Sequence, residues 1–246
     1  MKPSLLFALA AALAHGGACA GDIDPAWHTS AELGAITTSG NTAGTSVTGK
    51  IDARQELDNW SNQYIATGYF KEDEKTNSGG DTVTVKSAER FALSAKAAYK
   101  LMDDGKKLFV LGTYVDDKFG AYTTYSTMAI GHAWGWDTAR DRRIDLEVGP
   151  GYFSGTRATG EEESGFTVRG AAAVSWRLSP AAVFANSVIV ERGTSNVHSV
   201  AEASLATKIN DTMQMKAAFA ARNDTNVPAN KKNTDTQTSI TLVYSF

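Results

Sequence analysis

The 246-residue chain predicts an all-β fold: an antiparallel transmembrane β-barrel of about twelve strands, preceded by a cleaved signal peptide. Three observations point there. Side chains alternate with period two over long segments, no apolar run after the leader reaches the ~18 residues of a membrane helix, and long connections tend to alternate with short ones.

Residues 1–20 read as a signal peptide. Lys2 gives the positive start, Ser4 to Ala14 (SLLFALAAALA) the apolar core, and Ala18-Cys19-Ala20 a small-x-small cleavage site. A lipoprotein anchor at Cys19 wants a leucine three residues earlier, where Gly16 stands. Cleavage after Ala20 leaves no cysteine, so a disulfide-stapled secreted domain is not expected. Residues 21–30 are expected as a short periplasmic segment and 31–246 as one barrel domain. Without Lys2 the chain has 23 basic and 27 acidic residues, a net charge of −4 that does not suggest nucleic-acid binding.

Strands are expected near 31–39, 44–57, 60–72, 82–101, 107–118, 122–136, 143–154, 164–178, 181–192, 196–209, 212–224 and 234–246. Val47, Gly49, Ile51 and Ala53 alternate with Thr48, Lys50, Asp52, Arg54 and Glu56. Phe91, Leu93, Ala95, Ala97 and Tyr99 alternate with Arg90, Ser94, Lys96 and Lys100. Phe166, Val168, Gly170, Ala172, Val174 and Trp176 alternate with Thr167, Arg169, Ser175 and Arg177. Met213, Met215, Ala217 and Phe219 alternate with Gln214, Lys216 and Arg222. Such segments exceed the usual five or six residues of a globular strand and suit the ~9–11 of a tilted strand crossing a bilayer. Parity is less clean in 60–72, 122–136 and 181–192, where a bulge or a local internal core is expected.

Short polar connections fall at Asp58-Asn59, Asp103 to Gly105, Thr138 to Arg142, Ser179-Pro180 and Asn210-Asp211. Longer ones fall at 40–44, 73–81, 155–163 and 225–233, with two short exceptions near Gly120 and at Gly193 to Ser195. Tight periplasmic turns and longer outer loops produce that contrast, and an even strand number returns the C-terminus to the periplasm. Tyr99, Tyr152, Trp176, Tyr244 and Phe246 stand near strand ends, as interfacial girdles require. A soluble sandwich shares the periodicity, so a secreted all-β binding module stays open at this stage.

The charged parity of the strands is expected to line the lumen. Its members are Lys50, Asp52, Arg54, Glu56, Arg90, Lys96, Lys100, Asp145, Glu147, Arg169, Arg177, Glu202, Lys208, Lys216 and Arg222. Both signs occur, which favours cross-strand ion pairs over a ring of one sign; a narrow pore and a nearly closed, salt-bridged interior both fit.

The closing "TDTQTSITLVYSF" (234–246) resembles the last strand of Gram-negative outer-membrane barrels. In those proteins a final Phe with alternating apolar residues acts as a signal to the barrel-assembly machinery, and Ile240, Leu242, Tyr244 and Phe246 match it. With "ELGAITTSGNT" (32–42), "YIATGYF" (64–70) and "LEVGPGYF" (146–153), the chain more narrowly resembles domain-of-unknown-function family 481, described as salt-induced outer-membrane proteins. The resemblance implies a place in the outer membrane among lipid and lipopolysaccharide, and biogenesis through periplasmic chaperones and the assembly machinery. It brings no reaction, ligand, cofactor or catalytic residue.

Catalysis has one candidate. Outer-membrane phospholipase is similar in strand number and uses His and Ser on its lipid-facing surface. Here His132 lies between Ile130 and Trp134, but Ser126 and Thr127 stand ~17–20 Å away along the same strand. His198-Ser199 directs its two side chains to opposite faces. The acidic Glu161 to Glu163, with Asp73, Glu74 and Asp81, lacks the spacing of a calcium loop and reads as a hydrated rim. The expectation is a non-enzymatic envelope component or narrow passive channel, with no metal or cofactor. The alternatives are a lipid-hydrolysing barrel and the secreted module.

Overall fold

The computed structural model describes residues 26–38, 44–76, 81–101, 105–228 and 232–246. The signal-peptide reading of 1–20, the first half of the expected 21–30 segment (21–25), and residues 39–43, 77–80, 102–104 and 229–231 lie outside them. Twelve strands follow in order: β1 (Trp27–Thr38), β2 (Gly44–Glu56), β3 (Trp60–Thr76), β4 (Thr82–Lys100), β5 (Lys106–Asp117), β6 (Tyr122–Ala139), β7 (Arg142–Arg157), β8 (Glu162–Ser179), β9 (Ala182–Arg192), β10 (Val197–Lys208), β11 (Met213–Asp224) and β12 (Thr234–Ser245). Each pairs antiparallel with its sequence neighbours, and β1 pairs with β12 to close the barrel. Closure leaves no free strand edge, the condition a sheet must meet within lipid.

The first strand begins at Trp27, so residues 27–30 belong to the sheet rather than to a preceding segment. Strand lengths run from 11 residues in β9 to 19 in β4. β3 and β4, of 17 and 19 residues, exceed a bilayer crossing, and their hairpin runs past the start of β2 at the end opposite the termini, here the distal end. At the closing seam Ser30 to Leu33 register with Ser245 to Leu242, and Thr29 and Phe246 exchange backbone hydrogen bonds of 3.2 and 2.9 Å.

Side-chain parity sorts large apolar residues outward. Leu33, Ile51, Leu93, Val110, Ile130, Val168, Met215 and Ile240 are exposed on the outer surface, and Phe166 reaches 82%. Carboxylates and cations of the opposite parity point inward. This is the reverse of a soluble sandwich, whose apolar face forms the core, and it removes the secreted-module alternative. Aromatic pairs sit on the outer surface near both ends. Trp60 meets Tyr99 at 5.3 Å and Tyr244 meets Phe246 at 5.8 Å near the termini; Tyr152 meets Phe166 at 5.7 Å toward the distal end.

The irregular segments have local causes. Register shifts fall between Lys71 and Glu72 in β3, and between Tyr122 and Thr124 and between Asp137 and Ala139 in β6. Another falls between Arg177 and Ser179 in β8, facing the start of β9. One expectation needs correction: the inward face is not polar throughout. On β4 to β6, Ala98, Phe109, Leu111, Ala129 and Ala133 form a buried apolar cluster, with Val115 beside it at 1% exposure. β5 is apolar on both faces, because Leu108, Val110 and Tyr114 take the lipid side. Where β6 and β7 draw closest, Gly149 lies against the Ile130 carbonyl; a Cβ there would stand 1.9 Å from that oxygen.

Candidate functional site

The chemistry-bearing side chains converge in the lumen. A central cavity of about 440 Å³ is lined by all twelve strands. From the expected set, Lys50, Arg90, Lys96, Glu147, Arg169, Glu202, Lys216 and Arg222 border it. Asp52, Arg54, Glu56, Lys100 and Asp145 keep the same inward parity nearer the termini, outside the cavity. Arg177 and Lys208 are exposed where β8 and β10 end.

Ion pairs organise the walls into two groups. On one side Glu32 takes Lys50 at 3.8 Å and Lys216 at 3.3 Å, and Lys216 reaches Glu202 at 3.5 Å. Register explains this: Glu32 faces Lys50 directly across β1 and β2, while Lys216 spans β12 to reach it. On the other side Lys96 of β4 ion-pairs with Glu147 of β7, passing over the apolar floor of β5 and β6 with its ammonium 5.0 Å from the Phe109 ring centre. Glu147 lies 4.0 Å from Arg169, which donates to Glu191 at 2.9 Å. Small residues on β6 (Ala129, Gly131, Ala133) leave the room that the Lys96 side chain crosses. Nearer the termini, Asp52 accepts from Arg54 at 3.2 Å and from Gln63 at 3.0 Å, and Lys100 pairs with Glu56 at 2.9 Å.

Toward the distal end a second cavity of about 90 Å³ adjoins the first. Arg90, Tyr125, Glu191, His198 and Arg222 line both, so they form the partition between them. Arg90 pairs with Asp117 at 3.3 Å and lines the partition with Tyr125. His198 Nδ1 lies 3.0 Å from Asp224, and its ring is 6.0 Å from that of Tyr125. Arg222 donates through both terminal nitrogens to Gln237 Oε1 at 3.3 Å. Above, Tyr122 and Arg157 donate to Glu163 at 2.9 and 2.8 Å, Ser195 donates to the same carboxylate, and Tyr122 packs on Phe153 at 5.1 Å.

Glu163 therefore corrects the reading of Glu161 to Glu163 as a hydrated rim: it is the second residue of β8 and anchors the distal cluster. No group of acidic or histidine side chains suited to a metal ion occurs among the described residues. In the distal connection after β5, Lys118 donates to Asp116 at 2.8 Å, which raises its pKa above that of an ordinary lysine. His132 faces outward, stacked on Trp134 at 5.6 Å.

Sequence reasoning missed Glu32, Asp117, Tyr125, Glu191 and Asp224. Glu191 was hidden by the mixed parity of β9, where Val183 and Ile189 share the inward face with it. Had the parity of Glu202 been extended along β10, it would have placed His198 inside, and register would then have supplied Asp224.

An inside-out, closed twelve-stranded sheet with a charge-lined interior defines the class, an outer-membrane β-barrel of porin-like build. The chain belongs to the family DUF481, "Protein of unknown function", whose profile matches residues 31–246. Among solved structures it is similar to the NanC porin, with a TM-score of 0.55 and 7% identity over 88% of this chain and 98% of that one. It is also similar to the translocator domain of the autotransporter NalP from Neisseria meningitidis (TM-score 0.49, 15% identity, 98% and 93% coverage). A third is the KdgM porin (TM-score 0.47, 10% identity, 89% and 99% coverage). At these identities the likeness is one of fold. Comparison with curated proteins gives no match.

Proposed function

We propose that the protein is a narrow passive channel of the Gram-negative outer membrane, with no enzymatic activity. The observation that carries this is the pair of adjoining cavities along the lumen, about 440 and 90 Å³, which share one polar partition. An interior held by ion pairs along its walls, with space between them, suits slow passage of small polar solutes. The NanC porin, similar in fold, supports the reading.

In this proposal the leader carries the chain across the inner membrane. Periplasmic chaperones and the barrel-assembly machinery then insert it, reading Ile240, Leu242, Tyr244 and Phe246, and outer-membrane lipid and lipopolysaccharide surround it. The lumen residues Lys50, Lys96, Glu147, Arg169, Glu202 and Lys216 set the passage, with Arg90 and Arg222 in the partition between its two cavities. A role under osmotic or salt stress follows from the family likeness; slower growth of a deletion strain in high salt would support it.

The decisive measurement is conductance of purified protein in planar bilayers. Discrete steps of small unit conductance are expected, and a flat baseline with correctly folded protein would overturn the channel reading. Phospholipid hydrolysis by wild type that disappears in His132→Ala would overturn the non-enzymatic one.

A further inference from the structure

Six cations line the central cavity (Lys50, Arg90, Lys96, Arg169, Lys216 and Arg222) with four carboxylates, Glu32, Glu147, Glu191 and Glu202. Two carboxylates just outside it add partners, Asp52 for Lys50 at 3.4 Å and Asp117 for Arg90 at 3.3 Å. The ion pairs described above occupy five of the six cations. Arg222 differs: among the described residues both of its hydrogen bonds go to the neutral amide of Gln237.

We infer that Arg222 is the centre of a binding subsite in the lumen partition for a single anionic group, a carboxylate or a phosphate, carried by the solute. A guanidinium matches such groups with two parallel hydrogen bonds, and charge-assisted bonds are about twice as strong as those to a neutral amide. An incoming anion therefore displaces the Gln237 oxygen, and the Gln237 amide nitrogen becomes free to donate to it.

The surrounding carboxylates are engaged elsewhere: Glu191 by Arg169 at 2.9 Å, Asp117 by Arg90 at 3.3 Å, and Asp224 by His198 at 3.0 Å. Asp235, the cross-strand neighbour of Arg222 on β12, stands two residues from Gln237 and is itself engaged. Arg90, on the nearly opposite wall, adds a second cation at the same level of the lumen. An independent sign of a missing acceptor lies on the same cavity wall. Arg169 is 8% exposed, and its Nε has no hydrogen-bond partner among the described residues.

This inference rests on the lumen being open to solute, as proposed above, and its test separates the two. Protein in a phosphate-free detergent is titrated with inorganic phosphate, and binding is followed by broadening of the phosphorus NMR line. Saturable broadening is expected for wild type. Arg222→Gln should weaken it by about tenfold or more, and Arg222→Lys, which keeps the charge but loses the planar fork, by a smaller factor. Arg54→Gln, outside the cavity, serves as the control and should match wild type. Folding of each variant is checked by heat-modifiable gel mobility; if Arg222→Gln does not fold, Arg222→Lys decides. Equal affinity in the folded Arg222 variants, or no saturable binding to wild type, overturns the subsite. In bilayers, the reversal potential across a salt gradient should favour anions in wild type and move toward zero in Arg222→Gln; an unchanged potential counts against the subsite. Arg222-dependent phosphate binding without conductance would remove the channel and leave the subsite standing. Conductance with Arg222-independent binding would do the opposite.

Discussion

Replacing Phe109 with alanine should destabilise the barrel more than the same change at Phe166. Phe109 is 2% exposed, enclosed by Ala98, Leu111, Ala129 and Ala133 with the Lys96 ammonium above its ring. Interior Phe→Ala substitutions cost about 3–5 kcal/mol, the sum of lost burial and the hole left behind. A cation over the ring face adds about 0.5–2 kcal/mol. Water from the lumen can enter the hole, which argues for the low end, about 3 kcal/mol. Phe166 is 82% exposed on the outer surface, where the alanine variant exchanges ring contacts for lipid contacts, and about 1 kcal/mol or less is expected. Reversible urea unfolding from lipid vesicles, followed by tryptophan fluorescence, gives both values. If Phe109→Ala loses no more stability than Phe166→Ala, the apolar floor is not a packing core and the reasoning fails.

Neutralising Glu147 strands Lys96 and leaves Arg169 with Glu191 alone, so Glu147→Gln should cost about 2–3 kcal/mol, with Lys96→Met partly restoring it; strict additivity of the two changes would argue against the bridge. Gly149→Val places a Cβ 1.9 Å from the Ile130 carbonyl, and prying β6 from β7 should cost about 1–3 kcal/mol, whereas Gly112→Ala, with nothing within 4 Å, should be neutral in the same unfolding assay. Deleting Phe246 removes its two backbone hydrogen bonds with Thr29, worth about 1–2 kcal/mol in vitro, yet should sharply reduce folded barrel in cells; undiminished heat-modifiable protein in the outer membrane would refute the signal.

Most of the fold was legible because it depends on a local property. In a barrel wall every residue faces either lipid or lumen, so a strand such as β2, with Val47, Ile51 and Ala53 against Lys50, Asp52 and Arg54, shows its two environments in its own sequence. Strand number, antiparallel order and the inward parity of Lys96, Glu147 and Arg222 all follow from that alternation plus short turns. β5 shows where the rule stops. KLFVLGTYV is apolar on both faces, and only its neighbours reveal that Phe109 and Leu111 face the lumen.

What the tertiary structure alone decided is who meets whom across the lumen. Lys96 and Glu147 are 51 positions apart and Lys216 and Glu32 are 184 apart; neither pair is on adjacent strands. Such contacts depend on register, on side-chain reach across an intervening strand of small residues, and on the curvature that closes the sheet. No one of these is encoded within a single strand. The partition of Arg90, Tyr125, Glu191, His198 and Arg222 gathers side chains from five strands at one level of the barrel. Alternation says that each points inward; only the closed, staggered sheet says that they meet.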